Sequence, residues 1–121
     1  NKPWYEFVGR SEYRAGETWE LDIHPEDLDR VRWTFDEHLK LGKRYQIEYR
    51  LRHEGDDWRW VLEVGSPRLS GDNQVIGMIG TCVDVHDTRL AEQEQRRMEE
   101  HYRVARNLES LGVLAGGIAH D

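Results

Sequence analysis

The most constraining feature of this sequence is a change in the spacing of its apolar residues. Through residues 25–41 they recur at intervals of three and four, which is the period of one helical face. Through residues 45–85 they alternate with polar residues or form a continuous run, which is typical of strands. After residue 87 the pattern is helical again and strongly charged. This order predicts an α+β fold, with an antiparallel sheet, short flanking helices and a long C-terminal helix.

Three strands are predicted, at residues 45–52, 58–64 and 74–85. A hairpin turn at residues 53–57 and a loop at residues 66–73 separate them. The third strand is apolar on both faces, so it is expected to be covered on both sides.

The helices have recognisable ends. A short helix covers Lys2–Val8 and stops at Gly9, and a longer one starts with Pro25 at its first position and ends at Gly42. The C-terminal helix carries a heptad of apolar residues at Val104, Leu108, Leu111, Ala115 and Ile118. Because a long, weakly apolar helix is only marginally stable alone, we expect it to pair with a second copy of the chain.

Charge and composition exclude several classes of protein. The formal net charge of −7 argues against a nucleic-acid partner, since phosphate binding depends on Lys and Arg. A single cysteine, Cys82, excludes an internal disulfide framework and fits a reducing compartment. No apolar run has the length of a membrane span, although a parent protein could carry an anchor elsewhere.

Several segments, taken in order, resemble the PAS family, and in particular a tryptophan-rich subgroup. They are NKPWYEFVG at residues 1–9, Trp19 with HPED at residues 24–27, EYRLR at 48–52, WRWV at 58–61 and GTCVDVHDTRLAE at 80–92. In the family, two further strands precede the first of these segments. The resemblance therefore implies that they are missing here, which leaves an open sheet edge at residues 75–85 where another copy could pair.

The family's "DIT" motif ties the last strand to an outgoing signalling helix. Asp84 matches its aspartate, but His86 stands where the family has threonine. The resemblance implies that Asp84, His86 and Asp87 couple the sheet to the helix, with the details altered by the histidine.

The final segment, LESLGVLAGGIAHD at residues 108–121, resembles the H-box of sensor histidine kinases. The resemblance implies that His120 accepts a phosphoryl group and that Asp121 acts as a base or orients the imidazole. A neutral imidazole is a good nucleophile near pH 7. ATP and Mg²⁺ would bind to a separate kinase domain, and a response regulator would then receive the phosphoryl group. The chain alone should be catalytically inactive.

The predicted organisation is a PAS domain at residues 1–86, a signalling or coiled-coil helix at residues 87–107 and the start of the phospho-acceptor helix at residues 108–121. The leading hypothesis is the sensory region of a two-component histidine kinase. The alternative is a PAS ligand-binding or dimerisation module that controls another output domain.

A small-molecule pocket between helix and sheet is a further hypothesis, with the alternative that aromatic rings simply fill the core. Its candidate lining residues are Trp19, Trp33, Phe35, Tyr49, Trp60, Leu62 and Ile79. Haem and flavin are not expected, and no metal site is predicted. Cys82 lies in a predicted strand, outside any flavin-adduct motif, and is expected to pack on the outer face of the sheet.

Overall fold

The computed structural model describes residues 2–120, with side chains described at residues 3–112. The chain divides into two compact units, Asn1–His86 and Asp87–Asp121. The predicted α+β class is confirmed. In chain order the elements are α1 (Lys2–Val8), a 3₁₀ turn (Trp19–Asp22), α2 (Pro25–Leu41), β1 (Tyr45–His53), β2 (Asp57–Leu69), β3 (Val75–Asp84) and α3 (His86–His120).

Helix α2 begins and ends where the sequence predicts. His24 caps its start, because the Nδ1 atom accepts a hydrogen bond from the backbone N–H of Glu26 at 3.1 Å. Pro25 then occupies the first turn, where its missing N–H costs nothing. Gly42 ends the helix with φ at 62°, the left-handed conformation that glycine adopts without a Cβ penalty.

The sheet is antiparallel, in the order β1-β2-β3. Tyr49 lies opposite Val61, and Glu63 lies opposite both Ile47 of β1 and Cys82 of β3. Directly opposed residues share a face, so these residues define one face of the sheet, which we call the inner face. Short helices pack there, and the core contains Val8, Ile23, Val31, Tyr45, Ile47, Tyr49, Leu51 and Val61.

Helix α1 is held against the hairpin between β1 and β2. The backbone N–H groups of Glu54 and Gly55 donate to the carbonyls of Phe7 and Val8 at 2.9 and 3.0 Å. The chain passes so close at Gly9 that a Cβ there would lie 2.6 Å from the nitrogen of Gly55. Glycine is therefore required at residue 9 by close packing as well as by its φ of 81°.

Strand β2 is longer than predicted, and the expected loop at residues 66–73 is partly wrong. Residues 66–69 continue β2 and pair with β3, and Pro67 lies opposite Met78. Strand β1 has already ended at the Tyr45–Gly65 pair, so β2 is an edge on that side at Pro67. A strand edge is where proline is tolerated, because no ladder hydrogen bond is lost there.

Strand β3 is less covered than predicted. On the face opposite the core, Ile79 is 58% exposed and Val83 is 51% exposed. Within the described residues β3 has one strand neighbour, β2. The apolar character of this strand therefore creates an exposed surface in this unit instead of a second buried face.

Helix α3 contains 35 residues, and its apolar side chains at Met98, Tyr102, Leu108 and Leu111 are exposed. None of the helices in the described part of the chain combines the length and apolar content needed to cross a bilayer.

Candidate functional site

A cavity of about 490 Å³ lies on the inner face of the sheet, under the N-terminal segments that cover it. Small-molecule sites usually measure roughly 300–1,000 Å³, so this volume is sufficient for a ligand. We call it the inner cavity. Its lining residues are Trp4, Tyr5, Tyr13, Thr18, Trp19, Phe35, Tyr45, Glu63, Met78 and Gly80.

A second cavity of about 440 Å³ continues along β3. It shares Trp4, Glu63 and Gly80 with the inner cavity and extends to Cys82 and Asp84. Glu63 therefore borders both spaces from the middle of β2.

Glu63 carries the only carboxylate among the described residues that line the inner cavity. Tyr45 donates a hydrogen bond from its hydroxyl to Oε2 at 2.7 Å, and Tyr49 donates to Oε1 at 3.0 Å. The Cys82 thiol makes a longer contact with Oε1, at 3.5 Å. Three neutral donors thus converge on one acidic side chain.

These three donors keep their protons at neutral pH. Burial, reinforced by the neighbouring Glu63, raises the pKa of Tyr45 well above its usual value. Burial also raises the pKa of Tyr49, and the Cys82 and Glu63 groups act in the same direction. Burial raises the pKa of Cys82 to about 12. Protonated hydroxyl and thiol groups can donate hydrogen bonds, and the oxygens of Glu63 accept them.

The placement of Cys82 on the inner face corrects the prediction that it packs on the outer one. Strand alternation separates the two faces but does not say which one meets the helices. The pairing of Cys82 with Glu63 decides this point.

The wall formed by the N-terminal segments is held together by Asp22, which is fully buried. Arg10 makes a two-pronged contact with it, from Nε to Oδ2 at 2.9 Å and from Nη2 to Oδ1 at 3.0 Å. Tyr13 donates to Oδ2 at 2.6 Å, and Trp4 in turn donates to the Tyr13 hydroxyl at 2.6 Å. Although burial alone would raise the pKa of Asp22, the hydrogen bonds from Arg10 and Tyr13 lower it.

A second buried carboxylate, Asp27, fixes α2 to β1. It accepts the backbone N–H of Arg50 at 2.8 Å and two guanidinium hydrogen bonds from the same residue at 2.9 Å each. These bonds outweigh the effect of burial and hold the pKa of Asp27 at about 2. The helix that carries Phe35 into the cavity is therefore anchored at its first turn.

The structure brings together only some of the predicted pocket residues. Trp19 and Phe35 line the inner cavity, with ring centroids 6.0 Å apart, and Tyr49 is buried in the core beside Glu63. Trp33 is 66% exposed on α2.

Trp60, Leu62 and Ile79 do not belong to this cavity, and their assignment to it is wrong. Trp60 lies opposite Arg50, and the Arg50 guanidinium stacks over its ring at 5.3 Å. Leu62 lies opposite Val83, and Ile79 lies opposite Ser66, one step out of phase with Glu63 and Gly65. Alternation therefore places all three on the outer face. The pocket was predicted from the large residues of β2, Trp60 and Leu62, which lie on the outer face. The smaller residues of β2, such as Val61 and Gly65, face the helices.

The junction between β3 and α3 contains the predicted coupling residues. Asp84 accepts a hydrogen bond from the backbone N–H of His86 at 3.0 Å and pairs with Arg59 of β2 at 2.8 Å. Hydrogen bonds from His86 and Arg59 lower the pKa of Asp84 against the opposing effect of burial. His86 accepts the backbone N–H of Trp60 on Nδ1 at 3.2 Å, and Val85 donates to the Trp60 carbonyl at 3.0 Å.

Asp87 begins the second unit, in the first turn of α3. His120 is the last residue of this helix, and its side chain lies outside the described side chains. Asp121 lies outside the described residues altogether.

Glu63, Asp22, Arg10 and Tyr13 are functional candidates that the sequence reasoning missed. Glu63 stands between Leu62 and Val64 in the strand predicted at residues 58–64, where the larger apolar residues, Trp60 and Leu62, lie on the opposite face. The available signal is that Val61 and Gly65 are in phase with Glu63, and the structure shows both of them buried. In the described part of the chain, no group of three or more His, Cys, Asp or Glu side chains is arranged to hold a metal ion.

The fold and cavity define a class of protein: a small α+β module with a binding-sized space under its helices, followed by a long helix. Residues 1–82 match the family described as the PAS fold, and the chain belongs to that family.

Two longer proteins contain a segment similar to this PAS domain. It is 34% identical over 93 residues to the uncharacterised protein y4lL of Sinorhizobium fredii, and 30% identical over 93 residues to the peroxide stress-activated histidine kinase mak1 of Schizosaccharomyces pombe. These alignments cover 76% and 77% of this chain but only 11% and 6% of the relatives, so the chain spans a small part of each.

Among solved structures, a sensory box histidine kinase/response regulator from Burkholderia thailandensis superposes with a TM-score of 0.56 at 32% identity. The match covers 68% of this chain and 63% of that one. The chain is thus a PAS sensory domain homologous to those of histidine kinases.

Proposed function

We propose that this chain is the sensory and helix-forming part of a two-component sensor histidine kinase, with His120 as the phospho-acceptor. In this proposal residues 1–86 form a PAS domain of the tryptophan-rich subgroup. Residues 87–107 form the signalling helix, and residues 108–121 begin the dimerisation and phospho-acceptor helix. The observation that carries the proposal is the hydrogen-bonded junction at residues 84–86, which leads from the last strand directly into a helix ending at His120.

The junction offers a physical route for the signal. Strand β2 bears Glu63 at the cavity and, three and four residues earlier, Trp60 and Arg59 at the junction. A ligand that displaces Glu63 would therefore move the strand whose backbone holds His86 at the start of α3. Such a shift would change the rotation or register of the helix, one of the known ways in which helical pairs transmit signals.

The chemistry proposed for His120 requires few groups. A neutral imidazole attacks the γ-phosphorus of ATP, and the carboxylate of Asp121 orients the ring and stabilises its developing positive charge. A kinase domain outside these residues would position ATP and Mg²⁺, since phosphoryl transfer depends mainly on positioning and charge neutralisation. The phosphoryl group would then pass to an aspartate of a response regulator in the bacterial cytoplasm.

Phosphotransfer from labelled ATP tests this proposal in the full-length protein that contains this chain. We expect acid-labile label in the wild type and its loss in His120→Gln, because the amide has no nucleophilic nitrogen. His101→Gln is the matched control, since His101 is an exposed histidine on the same helix.

Label that persists in His120→Gln would refute the assignment of the acceptor. Label that never appears, although the kinase domain binds ATP, would leave a PAS module that controls another kind of output.

A further inference from the structure

Glu63 differs from the other acidic side chains packed into this unit. Asp22 is paired with Arg10 and Arg52, and Asp27 is paired with Arg50. Glu63 receives only neutral donors, and no Lys, Arg or His within the described side chains lies within ion-pair distance of it. Glu63 is half-buried at the wall of the cavity, and it has no cationic partner of the kind that arginine provides for the buried Asp22 and Asp27.

A cationic ligand in the cavity would have access to the Glu63 carboxylate. A carboxylate offers about four acceptor positions, and the two tyrosines and Cys82 occupy three of them. Gly80, on the neighbouring strand, leaves the approach to the carboxylate open. A Cβ at Gly80 would lie 3.5 Å from the Glu63 carboxyl carbon. The space beside the acidic group is therefore bordered by a residue without a side chain.

The other walls of the cavity are suited to a cation that carries an apolar group. Six aromatic residues line it: Trp4, Tyr5, Tyr13, Trp19, Phe35 and Tyr45. Aromatic faces attract ammonium groups through the ring quadrupole, and the rings also bury apolar carbon. The polar atoms of Trp4 and Tyr13 are engaged in the Asp22 network, which leaves Glu63 as the charged anchor.

We propose that the inner cavity binds an organic ammonium ion, with Glu63 as its counter-ion and the aromatic residues as its walls. The ligand class is a primary or methylated amine attached to a small apolar group. This inference deepens the sensory role proposed above and rests on it, because it names the chemistry of the signal. Binding is measured without phosphotransfer, so the two proposals can fail separately.

Calorimetric titration of the chain at pH 7 tests the inference with defined probes. The cationic probes are butylammonium, benzylammonium and benzyltrimethylammonium, and the matched neutral and anionic probes are benzyl alcohol and phenylacetate. We expect saturable binding of at least one cation, roughly tenfold or more tighter than benzyl alcohol, because an ion pair with the Glu63 carboxylate is available only to the cation. Phenylacetate should not bind.

Two test variants, each with a control variant, locate the preference for the cation. Glu63→Gln keeps the size and the acceptor oxygen but removes the charge, so the preference for the cation over benzyl alcohol should disappear. Asp72→Asn removes one negative charge from the exposed β2–β3 turn and should leave binding unchanged. Gly80→Val should block binding by filling the space beside Glu63, whereas Gly71→Ala, with nothing within 4 Å of the added Cβ, should not.

The inference is overturned if no cationic probe binds saturably, or if cation and alcohol bind equally well. It also fails if the preference survives in Glu63→Gln. If Glu63→Gln does not fold, as judged by its circular dichroism, the comparison of probes on the wild type and on Gly80→Val still decides the question.

Discussion

At the scale of single residues, the three acidic side chains beneath the helices have different tasks. Asp22 and Asp27 are buried and bound by arginine, so they hold the N-terminal segments and α2 in place. Glu63 is bound by tyrosines and faces a cavity. Removing the first two should damage stability, whereas removing the third should mainly change binding.

The pH dependence of stability should reveal Asp27. Its pKa of about 2 in the folded protein lies below the ordinary value of 3.8, so its stabilising effect is complete above that ordinary value. The effect is lost as the pH falls through about 2. We expect Asp27→Asn to lower the free energy of unfolding at pH 7 by about 2 kcal/mol. The variant should also flatten the acid limb of the pH profile.

Urea unfolding between pH 2 and 7 measures both effects. Asp29→Asn is the control, because Asp29 lies close to Asp27 on the same helix but is exposed. An equal loss of stability in both variants would show that the Asp27–Arg50 contact contributes nothing specific.

At the scale of elements, the attachment of α3 to the sheet depends on an imidazole. Nδ1 of His86 accepts the Trp60 N–H, so the ring must be in a tautomer with that nitrogen unprotonated. The family resemblance places a threonine at this position, and in this chain the longer side chain of His86 accepts a hydrogen bond from the neighbouring strand β2.

Hydrogen exchange at the Trp60 amide tests this junction. His86→Ala removes the acceptor, and we expect the Trp60 amide to exchange about tenfold faster, the factor that corresponds to one net hydrogen bond. His101→Ala, on the exposed part of α3, should leave that amide unchanged. Unchanged exchange in His86→Ala would mean that the other contacts of the junction suffice to hold β2.

At the scale of the whole molecule, α3 presents apolar side chains that its own unit does not bury. Leu108 and Leu111 are 63% and 61% exposed, and both belong to the heptad predicted from the sequence. A helix with such a seam gains stability when a second copy covers it. The proposed homodimer through this helix follows from that argument.

Sedimentation equilibrium tests the dimer. Leu108→Asp combined with Leu111→Asp should weaken self-association by roughly a hundredfold or more, because two charged groups would have to be desolvated in the seam. Asn107→Asp with Glu109→Asp is the control at adjacent positions outside the heptad. A wild-type chain that stays monomeric at high concentration, or a double variant that still dimerises, would contradict pairing through this seam.

The sequence alone determined the order and type of the elements. Periodicity separates helix from strand because each has its own repeat, and Pro25 and Gly42 mark the ends of α2 through their backbone preferences. The end of β2 could not be predicted in this way. Pro67 is tolerated inside the strand because no neighbouring strand pairs with it on one side, and the sequence does not show which strands are neighbours.

Only the tertiary structure decided which face of the sheet meets the helices. Both faces of β2 carry apolar residues, and the alternation of side chains separates the two faces without showing which of them is covered by the helices. The inner face has Val61, Glu63 and Gly65, because Tyr45 needs the space above Gly65, where a Cβ would lie 2.1 Å from its ring. The packing of a large ring against a small residue involves two opposed strands. The position of Glu63 in the cavity therefore depends on the neighbouring strand and could not be predicted from the pattern within β2 alone.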